Sequence, residues 1–126
     1  MNYFSLTKVN EFRLKLYIKD FDTTKKFYAE VLQFPVVIEW NEEDHRGLMF
    51  DTGAGIIEFL LAKNDRISFS STDISLHVED VQKLWEYIQD KATIIFPLRK
   101  NDWGDTSFCI ADPNGFHITF FTKTKV

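Results

Sequence analysis

Two histidines, His77 and His117, and two carboxylates, Glu58 and Asp73, are the residues of this chain best suited to chemistry. An imidazole that titrates near neutral pH can serve as a metal ligand or as a general base. Around these four fall the donors Arg13, Lys15, Tyr17 and Thr119, and the indoles of Trp40 and Trp103, which offer flat apolar walls to a guest. No contiguous motif joins them. What groups them is strand alternation, which sends successive side chains to opposite faces. Leu14, Leu16 and Ile18 then pack under a helix, and Arg13, Lys15 and Tyr17 face the other way. By the same rule Ile56, Glu58 and Leu60 face inward, as do Asp73, Ser75 and His77, and His117, Thr119 and Phe121. Each histidine also has a blander reading, as a cavity-wall ring hydrogen-bonded to its neighbours. The alternatives for Trp40 are packing at the end of its strand or a dimer contact.

The elements that must position these residues come in two similar sets about sixty residues apart. Residues 13–20 (RLKLYIKD) read against 73–80 (DISLHVED), and residues 51–60 (DTGAGIIEFL) read against 112–121 (DPNGFHITFF). In the first set the period of two predicts a strand over residues 12–19. Asp20 to Thr23 supply N-cap chemistry for a helix running to about Leu32, and Pro35 stops its continuation. Strands follow at 36–40, 48–51 and 56–61, with a polar turn over 41–46 that leaves His45 in solvent and a tight turn at Gly53 to Gly55. Residues 63–72 read as a polar linker. The second set repeats the order: a strand at 74–78, a helix from Val81 to about Asp90 with Trp85 on its core face, and strands at 93–98, 107–111 and 116–121. A loop covers 99–105, and Asp112-Pro113-Asn114-Gly115 is a strong turn signal. The expected fold class is α+β, with two tandem β-α-β-β-β modules, about 12–62 and about 73–122, forming a curved mixed sheet around a central cavity. The whole of 1–126 is expected to be a single domain.

Composition narrows the function classes. With 44% hydrophobic and 27% charged residues, the 126-residue chain has the balance of a globular protein. Its longest apolar stretch, 56–62, is broken by Glu58 and is too short to span a bilayer. The first residues show no basic-then-apolar pattern, so the expected compartment is the cytoplasm. A net charge of −4 argues against a phosphate-backbone partner, which needs a basic face. The single cysteine, Cys109, rules out an intramolecular disulfide and reads as a buried structural thiol. Gly53-Ala54-Gly55 lies between strands rather than opening a helix, so it is not a nucleotide-binding loop.

Several phrases point to a known family: Asp20, Phe27-Tyr28 and Val31-Leu32 in the first repeat, and Trp103-Gly104 with Asp112-Pro113-Asn114-Gly115 before the last strand of the second. In these, and in element order from about residue 12 to 121, the chain resembles the glyoxalase / bleomycin-resistance / dioxygenase family, also called the vicinal oxygen chelate fold. The resemblance implies two-fold dimers, sometimes formed by exchange of the first segment. It also implies four inward positions that hold a divalent ion in metal-dependent members, and here these carry Arg13, Glu58, Asp73 and Thr119. Only Glu58 keeps a usual ligand type. A guanidinium has no lone pair to give a cation, and Thr119 is a weak neutral donor. Arg13 either takes over the charge role of the ion by pairing with Glu58 or Asp73, or extends to solvent.

The function this resemblance implies is small-molecule binding of the bleomycin-resistance type, without a metal or other cofactor. Arg13, Lys15, Tyr17, Trp40, Glu58, Asp73, His77, Trp103, His117 and Thr119 would line the pocket. The alternatives are a divalent-metal-dependent lyase, isomerase or dioxygenase with an atypical ligand set, including one displaced to His77, His117 and Glu58, or a metal-free enzyme with a histidine base. A partner protein whose cavity is filled by its own aromatics is a further one. The expected partners are a small ligand and a second copy of the chain, with no nucleic acid and no membrane.

Overall fold

The computed structural model describes residues 6–63 and 73–124, so most of the expected linker, 64–72, lies outside the described residues. The described residues form eight strands and two α-helices in two repeats of one plan. Strand β1 (Arg13–Ile18) leads into helix α1 (Phe21–Lys26) and a π-helical turn (Phe27–Val31). Strands β2 (Val36–Glu42), β3 (His45–Asp51) and β4 (Ile56–Leu61) follow. The second repeat is β5 (Asp73–His77), α2 (Val81–Ile88), β6 (Thr93–Asn101), β7 (Asp105–Ala111) and β8 (His117–Lys123). Each repeat makes a four-stranded mixed sheet, ordered β1-β4-β3-β2 and β5-β8-β7-β6. The first strand runs parallel to the last and the remaining pairs are antiparallel.

The described residues divide into two compact units, and the boundary between them is not the repeat boundary. Residues 6–21 and 28–63 form one unit, while 22–27 join 73–124 in the other. The reason is visible at Thr24, fully buried in α1, whose hydroxyl accepts a 2.9 Å hydrogen bond from the Asn114 side chain. The Asp-Pro-Asn-Gly turn therefore does more than reverse the chain. Asp112, itself buried, accepts from the backbone N–H groups of Asn114 and Phe116, both at 2.8 Å. Gly115 supplies the positive φ of 86° that closes the turn.

In the first unit the helical segment ends where Gln33 takes a left-handed φ of 59°. Phe34 N–H then donates back to the Tyr28 carbonyl at 3.0 Å and closes the wide π-helical turn. Tyr28 is completely buried and anchors an aromatic core, with Phe59, Phe50 and Phe34 at ring separations of 4.6, 5.8 and 6.4 Å. Leu16, Ile18, Leu48 and Ile57 complete it, as the alternation requires. In the second unit, helix α2 is capped by Asp80, which accepts from Lys83 N–H at 3.1 Å. Its Trp85 packs on Phe108, and Phe108 on Phe120, at 5.2 and 5.4 Å.

Two expected loops prove to be mostly strand. The turn read at 41–46 shrinks to Glu43 and Asp44, because Asn41 pairs with Arg46 and Glu42 with His45. The loop read at 99–105 shrinks to residues 102–104, because Lys100 pairs with Thr106 and Asn101 with Asp105. A ladder is held by backbone groups, so polar hairpin ends stay paired although the apolar alternation has stopped. Pro97 and the register shifts of β6 are accommodated because that strand is an edge. Among the described residues no helix is long and apolar enough to cross a membrane.

Candidate functional site

On the face of the first sheet opposite the Tyr28 core, the register sets out a small array. Arg13, Lys15 and Tyr17 on β1 lie beside Ile56, Glu58 and Leu60 on β4. Glu58 and Leu60 in turn lie beside Met49 and Gly47 on β3, and Gly47 beside Trp40 on β2. The Trp40 indole lies across the strand over Gly47. A Cβ at position 47 would stand 2.0 Å from its ring carbon Cζ2, so only glycine leaves room for it. Trp40 also stacks on His45, with ring centroids 5.6 Å apart and planes 16° from parallel, and its indole N–H donates to His45 Nδ1 at 2.6 Å.

His45 is exposed, as the sequence suggests, yet it belongs to this array. It opens β3 and shares the parity of Gly47, Met49 and Asp51. The signal was present in the sequence as a glycine between polar and apolar residues, but it is readable only once the hairpin is known to turn in two residues. A cavity of about 300 Å³ opens beside it, lined by Lys15, Tyr17, His45, Leu60, Leu61 and Lys63.

Of the two placements open to Arg13, the structure shows a third partner. Its Nε donates to Glu11 Oε2 at 2.6 Å, with both side chains about half exposed. The expected pairing with Glu58 or Asp73 is thus replaced by a contact two residues away, which a strand-start arginine reaches without burying its charge. Glu58 is left at 8% exposure, with no hydrogen bond or ion pair to any described residue.

The second sheet carries the other expected site residues. Asp73 pairs with His117, Ser75 with Thr119 and His77 with Phe121 along the β5–β8 ladder. His77 stacks on Phe121 at 5.0 Å, with the rings 13° from parallel. Because His117 sits opposite Asp73, it is four residues from His77 along the strand direction, or roughly 13 Å at about 3.3 Å per residue. Side chains that stand in parallel off one sheet face do not close a backbone gap of that size around one ion with bonds of about 2 Å. Thr119 lies beside Cys109, a buried thiol that sequence reading left out of the site. Burial pushes this thiol above its usual range, and the Asp73 charge pushes the same way, against a hydrogen bond from Thr119 and the charge of Arg99. It is a structural thiol and not an activated nucleophile. Trp103 stands at the tip of the β6–β7 hairpin, 73% exposed.

A divalent ion of the family type finds a poor donor set here. Arg13 offers no lone pair and is engaged by Glu11, Thr119 is a neutral hydroxyl beside a thiol, and the two histidines are a ladder's length apart. Among the described residues no three His, Cys, Asp or Glu side chains converge. The residues at these positions do not fit the ion.

The sequence matches the model of the Glyoxalase/Bleomycin resistance protein/Dioxygenase superfamily over residues 8–120, and the chain belongs to that superfamily. No curated protein is matched by the sequence. Among solved structures it is similar to TioX from Micromonospora sp. ML1, with a TM-score of 0.73 at 20% identity over 91% of this chain and 99% of that one. It is also similar to a lactoylglutathione lyase from Agrobacterium tumefaciens, with a TM-score of 0.70 at 15% identity over 91% and 94% of the two chains. The integron cassette protein VPC_CASS1 from V. Pseudocholerae gives 0.70 at 24% identity over 94% and 98%. At such identities the likeness is one of fold, and activity has to be argued from this chain's own residues.

Proposed function

We propose that this protein binds and holds a small organic molecule, in the manner of the bleomycin-resistance members of its superfamily, and does not work through a resident metal. The observation that carries this reading is the donor set. Where metal-dependent relatives place ligands, this chain has a guanidinium paired to Glu11, a hydroxyl, and carboxylates without converging imidazoles. The array of Trp40, His45, Lys15 and Tyr17 beside a cavity supplies what a binder needs instead, namely an apolar body with a few placed polar groups. Association of two copies has an available surface in the edge strand β2, where Val36, Val37 and Ile38 are all exposed.

One observation favours the metal-dependent lyase, isomerase or dioxygenase alternative, which is that Glu58 is largely buried and its carboxylate has no described partner. Elemental analysis of untagged protein, after soaking with nickel, zinc, manganese and ferrous iron, separates the two. The binder reading expects metal far below one ion per chain and an unchanged melting temperature. About one ion per chain, with a raised melting temperature, would overturn it.

A further inference from the structure

The cavity beside His45 has a chemical character of its own. Lys15, Tyr17, His45, Leu60, Leu61 and Lys63 line its roughly 300 Å³, and no carboxylate is among them. Neither Lys15 nor Lys63 forms an ion pair with any described residue. The acidic residues nearest in sequence to His45, namely Glu42, Glu43 and Asp44, line a neighbouring cleft with Arg46, and His45, Leu61 and Lys63 form the wall between the two. Glu58, which lies next to Lys15 across the ladder, does not reach the lining.

The donor and acceptor roles of the His45 ring nitrogens follow from its partner. An indole N–H is a donor only, so the 2.6 Å contact from Trp40 makes His45 Nδ1 an acceptor. That leaves Nε2 as the ring's donor. The remaining polar atom of the ring is a donor, as are both ammonium groups. Leu60, which is buried, and Leu61 supply an apolar surface. A neutral apolar guest would cover two ammonium groups without giving them acceptors, which costs free energy. A cationic guest would be repelled. An anionic group answers each donor with a charge-assisted hydrogen bond.

We infer that the first module carries a binding pocket for a small organic anion, a carboxylate on a compact apolar body, held by Lys15, Lys63 and His45. This rests on the small-molecule-binding reading above and names its ligand class. The Trp40–His45 stack serves as a positioning device, because the indole N–H selects the tautomer that turns His45 into a donor.

The test uses three matched probes with the full chain: 1-naphthoate, its neutral amide 1-naphthamide, and the cation 1-naphthylmethylammonium. Binding is followed by calorimetry, with the ¹⁵N indole resonance of Trp40 as a local reporter. The expected result is that naphthoate binds about tenfold or more tightly than the amide, that the cation does not bind, and that the Trp40 signal moves. The double variant Lys15→Gln/Lys63→Gln should lose about tenfold or more of the naphthoate affinity while its melting temperature stays within about 2 °C, because surface substitutions away from packed contacts change stability little. Equal binding of acid and amide, or full affinity in the double variant, overturns the anion pocket and leaves the binder reading standing. Absence of naphthoate binding at millimolar concentration also overturns it. The binder reading itself fails separately, if a broad screen of antibiotics and polar metabolites produces no thermal shift.

Discussion

Replacing Gly47 by alanine tests whether the Trp40–His45 arrangement depends on an absent side chain. The new Cβ would lie 2.0, 2.4 and 2.6 Å from three carbons of the Trp40 ring, against an ordinary contact of 3.4 Å or more. The ring must therefore lift by about 1.4 Å, and a hydrogen bond of 2.6 Å to His45 does not survive a displacement of that size. Losing the bond costs about 1 kcal/mol, and losing the aromatic stack about 0.5–1.5 kcal/mol. Against this, Gly47 has no positive φ, so alanine fits the strand backbone and restricts the unfolded chain, a gain of about 0.4–1 kcal/mol. The net expectation is a destabilisation of about 0.5–2 kcal/mol, toward the low end because the pair is partly solvent-exposed. Urea unfolding measures the change, and a ¹H–¹⁵N spectrum shows whether the Trp40 indole resonance moves while those of Trp85 and Trp103 stay. In a Trp40→Ala background the same glycine substitution should cost nothing, since the obstacle has gone. If Gly47→Ala is as stable as the parent and the Trp40 indole does not shift, the ring does not occupy the space above residue 47 and the argument for the His45 tautomer falls with it.

Three other outcomes follow from the same structure. Glu58→Gln should leave stability within about 0.5 kcal/mol, because the carboxylate has no described partner and its oxygens keep contact with solvent; a loss of more than about 1 kcal/mol in denaturant titration would show that its charge is paired in the fold. Asp112→Ala should cost about 2–4 kcal/mol, since the buried carboxylate accepts from Asn114 N–H and Phe116 N–H and orients the Asn114 amide toward Thr24, and an effect under about 1 kcal/mol in urea unfolding would refute that role. Cys109 predicts an alkaline effect. Its thiol is raised above an ordinary value of 9.0 by burial, so the folded chain keeps the proton to higher pH than the unfolded chain does. The contribution is complete below the unfolded value and is lost as pH rises through the folded one. The stability advantage of the parent over Cys109→Ala should accordingly shrink as pH rises through and beyond the ordinary value of 9.0, and a constant or growing gap would contradict the burial argument.

Much of this molecule is legible in its sequence because local rules and global packing agree. The repeat of RLKLYIKD by DISLHVED, and of one module ending by the other, announces two copies of one strand-and-helix plan. The period-two alternation sorts Leu16, Ile18, Ile57 and Phe59 into the core, and the Asp112 turn declares itself by composition. What misled the reading was the assumption that strands end where apolar residues end. Backbone pairing carries β2, β3, β6 and β7 into their polar hairpins, and that shift moved His45 from a presumed loop onto the site face.

The sequence by itself determined the family, the duplicated architecture, and which residue types stand where relatives bind metal, because these depend on composition and on a period of two along each strand. Only the tertiary structure decided that Arg13 turns to Glu11, that Asn114 holds Thr24 of the first helix from ninety residues away, and that Trp40 lies flat over Gly47 against His45. It also decided that His77 and His117 stand at opposite ends of one ladder. Each of these depends on register between strands or on the reach of a side chain across a turn. Alternation reveals which face a residue occupies, but it carries no information about which neighbour it meets there.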